Sequence, residues 1–146
     1  MSAQSPRRHC GGFTLIELMA TVACVAILAT LAVSSYSGYV KRANRTYATN
    51  ALANYAQALQ RCYSQNFTFS TSCNVVPGTT STPDGYYNVT VSIGAAGNTF
   101  QLMAVPLTAP QTTDSQCMSF TLSSSGQEQA LNSQGQDNSR VCWGAG

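Results

Sequence analysis

One carboxylate and one peptide bond near the N-terminus carry the most informative chemistry of this sequence. Glu17 lies near the start of an apolar stretch, and no charged residue follows it from Leu18 to Val40. A carboxylate in a segment long enough to cross a bilayer costs roughly 3 kcal/mol and normally marks a functional contact. Cleavage between Gly12 and Phe13 would create an α-amino group able to neutralise it. These residues predict an ion pair between chains, as in a self-assembling subunit.

The cysteines predict disulfide chemistry in an oxidising compartment. Four of the six lie in the polar part of the chain: Cys62, Cys73, Cys117 and Cys142. An even number in a domain of export-like composition predicts two disulfides, and their spacings do not suit a zinc site. Proximity favours Cys62 with Cys73, but four cysteines allow three connectivities, which stay open here. Cys24, in the apolar stretch, is interpreted as a small apolar filler.

The remaining polar residues argue against enzymatic chemistry. The only histidine lies before Gly12 and the five acidic residues are scattered, so the sequence offers no nucleophile–base pair or metal cluster. We therefore predict no catalytic activity, no cofactor and no metal. Charged residues make up only 8% of the chain, against about a quarter in an average soluble domain. Ser, Thr, Asn and Gln replace them, as is common on extracellular surfaces.

The charge balance gives little support for a nucleic-acid partner. Without Arg7 and Arg8 the chain has five basic and five acidic residues, and a neutral domain lacks the basic patch typical of nucleic-acid-binding proteins. The first three remaining cations are interpreted as an interfacial collar beside a membrane. If DNA does bind, the candidate weak contacts are Lys41, Arg42, Arg45, Arg61 and Arg140.

The elements that position these residues fall into three segments. We predict a leader peptide at residues 1–12, a transmembrane and assembly helix at residues 13–40, and a globular head at residues 41–146. The leader has no apolar core before Phe13, unlike an ordinary secretory signal, so the apolar stretch would stay in the product. An uncleaved membrane anchor is the alternative that hydropathy leaves open.

One long helix is predicted from Phe13 to about Tyr63, because no proline interrupts that span. Its first half is apolar on all sides. Its second half is amphipathic, with one face that should pack on the head: Ala48, Leu52, Tyr55, Leu59 and Cys62. Residues 64–84 are rich in Ser, Thr and Pro and are predicted to form a loop.

Alternating apolar and polar residues predict an antiparallel sheet of roughly four strands. The alternation is strict from Tyr87 to Ile93, and further strands are predicted at residues 100–105, at residues 118–123 and, more weakly, at residues 128–131. With the long helix packed on this sheet, the predicted fold class is α+β.

The C-terminal segment is predicted to be a loop held by a disulfide. Residues 132–140 contain no apolar side chain and cannot contribute to a core. A bridge between Cys117 and Cys142 would tie this loop to the third strand and contribute about 3–4 kcal/mol in the chain-entropy estimate. Trp143 is expected to cover that bridge.

The leader, the run Gly-Gly-Phe-Thr-Leu-Ile-Glu-Leu-Met at residues 11–19, the long helix and the strand region together resemble a type IV pilin. The segment at residues 113–122, with Cys142 and Trp143 at the end of the chain, is similar to minor pilins of type IV pili. The resemblance implies that the C-terminal loop between the last two cysteines faces outward.

The same resemblance assigns roles to the N-terminal residues. Gly12 would be the last leader residue recognised by a prepilin peptidase, and Phe13 would become the N-methylated first residue of the mature subunit. Glu17 would pair with the Phe13 amine of a neighbouring subunit. Many pilins carry glycine and proline where this chain has Ala26 and Ser34, and such residues can break the helix in a filament. Their absence predicts an unbroken helix and argues against a bulk subunit.

The resemblance implies a structural minor pilin that is inserted in the inner membrane of a Gram-negative bacterium and polymerised into a cell-surface pilus. It would contribute to pilus assembly, adhesion or twitching motility. The implied partners are other pilin subunits, the prepilin peptidase and methylase, and the inner-membrane assembly platform. Two alternatives stay open, a type II secretion pseudopilin and a pilus-borne DNA receptor for natural transformation. Many pseudopilins bind calcium near the C-terminus. Asp114 and Asp137 are too isolated in this sequence to form such a site, because calcium takes six or more oxygen ligands.

Overall fold

A computed structural model describes residues 14–69 and 78–144, with only the backbone described for residues 32–35. The chain divides into two compact units, one ending at Tyr36 and the other beginning at Ser37. In its described part the first unit is helical, and the second contains the remainder of that helix and every strand described.

Helix α1 spans Leu15–Asn66 without a break, which confirms the predicted long helix and extends it slightly beyond Tyr63. Thr14 caps its start, because the backbone N–H of Glu17 donates to Thr14 Oγ1 (3.3 Å). Thr14 and Glu17 have the spacing of a capping box. An 18-residue window of α1 has a mean hydropathy of 2.3 and is not buried within the chain, so the helix is long and apolar enough to cross a membrane.

Five antiparallel strands form one sheet in chain order. They are β1 (Gly78–Ser81), β2 (Tyr87–Ile93), β3 (Phe100–Pro106), β4 (Ser119–Ser123) and β5 (Glu128–Leu131). This meander confirms the α+β fold class.

The predicted loop over residues 64–84 contains a strand, β1, so the described sheet has five strands where the sequence predicted roughly four. All four residues of that strand are exposed, so it carries no alternation of buried and exposed side chains. Only its pairing with β2, where Gly78 lies opposite Val91, defines it as a strand. Periodicity cannot reveal a short, fully exposed edge strand, because such a strand has no buried face.

The hydrophobic core of the second unit contains residues from α1 and from the sheet. Ala48, Leu52 and Leu59 of the predicted helical face are fully buried, while Tyr55 and Cys62 are partly buried against the same cluster. The strands contribute buried side chains in strict alternation: Tyr87, Val89, Val91, Phe100, Leu102, Ala104, Phe120, Leu122 and Ala130. The amphipathic half of α1 is therefore a core element.

The C-terminal segment returns to the sheet through a disulfide. Cys117 and Cys142 are bonded, with their Cα atoms 5.7 Å apart, as the sequence suggested. Cys142 ends the short helix α2 (Ser139–Cys142), and the Nε1–H of Trp143 donates to Gln129 O (3.1 Å). Cys62 is also disulfide-bonded, and its predicted partner, Cys73, lies outside the described residues.

Candidate functional site

Glu17 occupies the first turn of α1, where the positive end of the helix dipole favours a carboxylate. Among the described residues its carboxylate has no hydrogen-bond or ion-pair partner. The apolar side chains around it are exposed in the isolated chain, Leu15 by 78% and Leu18 by 59%. The predicted cleavage and methylation positions, Gly12 and Phe13, lie outside the described residues.

Arg45 lies in a different environment from the rest of the predicted collar. It is 6% exposed, and its Nε and Nη2 atoms donate to the two carboxylate oxygens of Asp114 at 2.7 and 2.9 Å. This fork-to-fork geometry is the strongest form of an ion pair between side chains. The interpretation of Arg45 as a collar residue and candidate DNA contact is therefore corrected, because its guanidinium is committed to Asp114.

A buried polar cluster extends this junction between α1 and the loop after β3. The side-chain amide of Gln111, in a 3₁₀ turn at Gln111–Thr113, donates to Lys41 O (3.2 Å) and to the Tyr87 hydroxyl (2.6 Å). Burial, only partly offset by the Gln111 hydrogen bond, raises the pKa of Tyr87 to about 12. The Lys41 ammonium donates to Thr113 O (2.9 Å). These contacts fix the loop at residues 111–117 against the helix.

The other predicted cations stay accessible but are not close together. Arg42, Arg61 and Arg140 are exposed and Lys41 is half-buried. Arg42 and Arg61 are separated by about 30 Å along α1, at 1.5 Å per residue. Lys41 and Arg42 line a hollow of about 340 Å³ together with Ser115 and Gln116. The five basic residues therefore do not form one patch.

A polar cleft of about 470 Å³ adjoins that hollow and shares Ser115 and Gln116 with it. Its lining is rich in amide and hydroxyl groups: Ser115, Gln116, Asn132, Ser133, Gln134, Gln136, Asp137, Asn138 and Val141. We call this surface the amide cleft. Side-chain amides carry both donors and acceptors, so the cleft can match the edges of planar polar groups such as nucleobases.

The amide cleft is held in shape by short-range hydrogen bonds. Asn132 Oδ1 accepts from the backbone N–H groups of Gln134 and Gln136, both at 2.9 Å. Hydrogen bonds from the Ser139 hydroxyl and backbone N–H hold the pKa of the Asp137 carboxyl below its usual range. Ser139 Oγ in turn accepts from Ala130 N (2.8 Å), which ties the loop to β5.

Comparison with known families assigns this architecture. The family described as type IV minor pilin ComP, DNA uptake sequence receptor, matches residues 34–121, more than half of the chain. The chain belongs to this family of type IV minor pilins. The prokaryotic N-terminal methylation motif matches residues 7–33 of the minor pilin. These two matches confirm the resemblance noted in the sequence, and the minor-pilin family favours the pilus over a type II secretion system.

Two further comparisons do not narrow the assignment beyond this family. A structure described as a type IV pilin from Shewanella oneidensis is 31% identical to this minor pilin, with a TM-score of 0.49. The match covers 60% of this chain and 89% of that one. No curated protein matches the chain. The methylation motif and the apolar helix fit a membrane-inserted precursor that is processed by a prepilin peptidase and enters a pilus with other subunits.

Reasoning from the sequence missed two features of the site. From the sequence, residues 132–140 are predicted only as a loop without apolar side chains. Asn132 followed by Gln134 and Gln136 could have indicated a turn capped by a side chain. The partner of Arg45 was also missed, because Asp114 is 69 positions away and no local pattern connects the two.

Proposed function

We propose that this minor pilin receives DNA at the surface of the pilus. The observation that carries the proposal is the match of residues 34–121 to a family described as a DNA uptake sequence receptor. The sequence left this function open as an alternative, which its neutral charge balance and lack of a continuous basic patch disfavour. A receptor that reads sequence also needs neutral groups that contact base edges.

The surface proposed for DNA combines the amide cleft with Lys41 and Arg42. The two cations are suited to phosphates, which position the duplex without reading its sequence. The cleft amides, above all Gln116 and Gln134, are suited to base edges, because an Asn or Gln side chain can form two hydrogen bonds with adenine. Because the cleft and the hollow share Ser115 and Gln116, the cations and the cleft amides lie next to each other.

Binding of the full-length protein in detergent micelles to a pool of random duplexes tests the proposal. The expected result is enrichment of a preferred sequence, bound in a salt-dependent manner. Arg42→Gln should weaken binding to all sequences and reduce the slope of log K against log salt by about 1, the contribution of one phosphate contact.

Gln116→Ala and Gln134→Ala should instead reduce discrimination between the preferred and a scrambled sequence, since a good bidentate contact contributes about 1–3 kcal/mol of discrimination. Gln101→Ala, an exposed amide on β3 outside the cleft, is the matched control and should change neither quantity. Absence of binding at low salt, or equal affinity for all sequences, would refute the receptor.

We further propose the course of assembly in which this receptor reaches the surface. Residues 1–12 are removed after Gly12 at the inner membrane, Phe13 is methylated, and the helix at residues 13–40 is passed from the bilayer to the filament by the assembly platform. The head at residues 41–146 then lies on a pilus of a Gram-negative cell. The methylation motif, the uncompensated Glu17 and the apolar first half of α1 support this course.

A further inference from the structure

Phe67 is unusual both in its backbone conformation and in its exposure to solvent. It follows the last residue of α1 with φ at 54°, and it is the one non-glycine residue with positive φ in the described part of the chain. Its side chain is 80% exposed, more than any other large apolar side chain in the described residues, including those of the apolar helix. A left-handed phenylalanine is uncommon, and backbone strain of this kind is concentrated at functional sites.

The backbone on both sides fixes this conformation. The N–H of Phe67 donates to Tyr63 O (2.7 Å), the bond of an αL helix cap, a position at which glycine or asparagine is usual. Two residues later, the N–H of Phe69 donates to Gly97 O (2.7 Å). The Phe69 ring is buried and packs against Tyr63, with the ring centroids 4.6 Å apart. With Phe69 directed into the core, the Phe67 ring is held in solvent.

The chemistry beside Phe67 suits a nucleic acid better than an apolar protein surface. The residues before it are polar and exposed: Ser64, Gln65 and Asn66. Arg61, within the last two turns of α1, is exposed and makes no ion pair with any described residue. A protein contact centred on an aromatic ring is normally enclosed by further packed residues that exclude water. Surfaces on which bases stack combine exposed aromatic rings with cations, and residues 61–67 supply both on one short exposed segment.

We propose that Phe67 stacks on the face of a nucleobase in the bound DNA, with Arg61 contacting the adjoining phosphate. The proposal rests on the proposed DNA-receptor function and adds a second contact region, away from the amide cleft. The ring face takes any base, because every nucleobase has a π-face. Phe67 therefore adds affinity, while the amides of the cleft select the sequence. On a duplex the same ring would act as a wedge between base pairs.

Glycine at position 67 separates this role from folding, because it is the preferred residue at a left-handed cap. For the full-length protein in micelles, Phe67→Gly is expected to leave the thermal midpoint unchanged or higher. It should weaken DNA binding by roughly 5- to 140-fold, which corresponds to the loss of one base–aromatic stack. Phe67→Trp should bind at least as tightly as the wild type, and its added emission should be quenched by DNA. The wild type, whose single tryptophan is Trp143, gives the baseline.

Leu107→Ala, at another exposed apolar side chain (43%), is the control and should leave binding unchanged. Titrations with the selected duplex and with its single strands distinguish a wedge from stacking on an unpaired base, and a loss in either supports the proposal. Wild-type affinity in Phe67→Gly overturns it, as does a loss of pilus incorporation with unchanged DNA affinity, which would make the ring a contact between pilins. If the wild type itself binds no DNA, the proposed receptor function is refuted, whatever the behaviour of the Phe67 variants.

Discussion

Arg45 lies one helical turn after Lys41, and the two cations nevertheless have different roles. Lys41 stays half-buried and its ammonium donates to the backbone carbonyl of Thr113, whereas Arg45 is buried and paired with Asp114. A buried ion pair is weak evidence for stability by itself, because desolvation of both charges offsets their attraction. Its effect here is geometric, since it holds the loop that carries Ser115 and Gln116 beside α1.

Removal of one residue of the Arg45–Asp114 pair should reveal the free-energy cost of a buried charge that has no counter-charge. Arg45→Met leaves the Asp114 carboxylate buried without a counter-charge and should destabilise the head by about 3–5 kcal/mol. The double variant Arg45→Met, Asp114→Leu should recover most of this loss, because no charge then remains buried. Denaturant titration measures both, and Arg42→Met, at an exposed position, should change the free energy of unfolding by less than about 0.5 kcal/mol. A similarly small effect of Arg45→Met would contradict the buried pair.

At the scale of elements, α1 combines two helices of different character in one unbroken backbone. Up to Tyr36 it belongs to the first unit and exposes apolar side chains, and from Ser37 it contributes buried residues to the core of the second. No proline occurs in its span, and Ala26 has high helix propensity. The helix therefore has no built-in site of unwinding between Ala26 and Ser34.

We expect this stretch to stay helical after assembly. In filaments that contain the protein, electron cryomicroscopy should show continuous helical density from Ala26 to Ser34. The double variant Ala26→Gly, Ser34→Pro introduces the residues found in many pilins and should break the density there, since proline removes a backbone donor and clashes with the preceding turn. Unwound density in the wild type would show that filament packing overrides the local sequence.

At the scale of the whole molecule, the two units have separate chemistry. In its described part the first unit carries one charged side chain, Glu17, among apolar residues, and the second carries the polar surfaces proposed to bind DNA. Assembly and reception can therefore be altered separately by mutation, and a variant of one unit should leave the function of the other intact.

Glu17→Val tests that separation. The variant should still be cleaved, with its first residue at Phe13, and should bind DNA like the wild type. Its incorporation into sheared pili should fall at least tenfold, because a buried N-terminal amine without its carboxylate partner costs about 3–5 kcal/mol. Immunoblots of sheared filaments and N-terminal sequencing measure the two effects, and Met19→Leu is the control for a neighbouring apolar position. Normal amounts of Glu17→Val in pili would rule out the proposed pairing.

Local patterns allowed much of this molecule to be read from its sequence. The helix follows from a span without proline, β2 to β5 from alternation with period two, and the N-terminal motif from consecutive residues. The core face of α1 was predictable for the same reason, since Ala48, Leu52 and Leu59 recur at the spacing of one helical face. Each of these features depends on residues within a few positions of one another.

Tertiary structure decided the features that depend on distant residues. β1 is a strand because β2 offers it hydrogen bonds, and Arg45 is a structural residue because the chain returns with Asp114 after 69 positions. The amide cleft needs Gln116 and Asn132 on neighbouring segments, and Phe67 is exposed because Phe69 and Gly97 fix the backbone beside it. Sequence determines these contacts only through the complete fold, because burial and partner choice are properties of the surroundings and not of the residue.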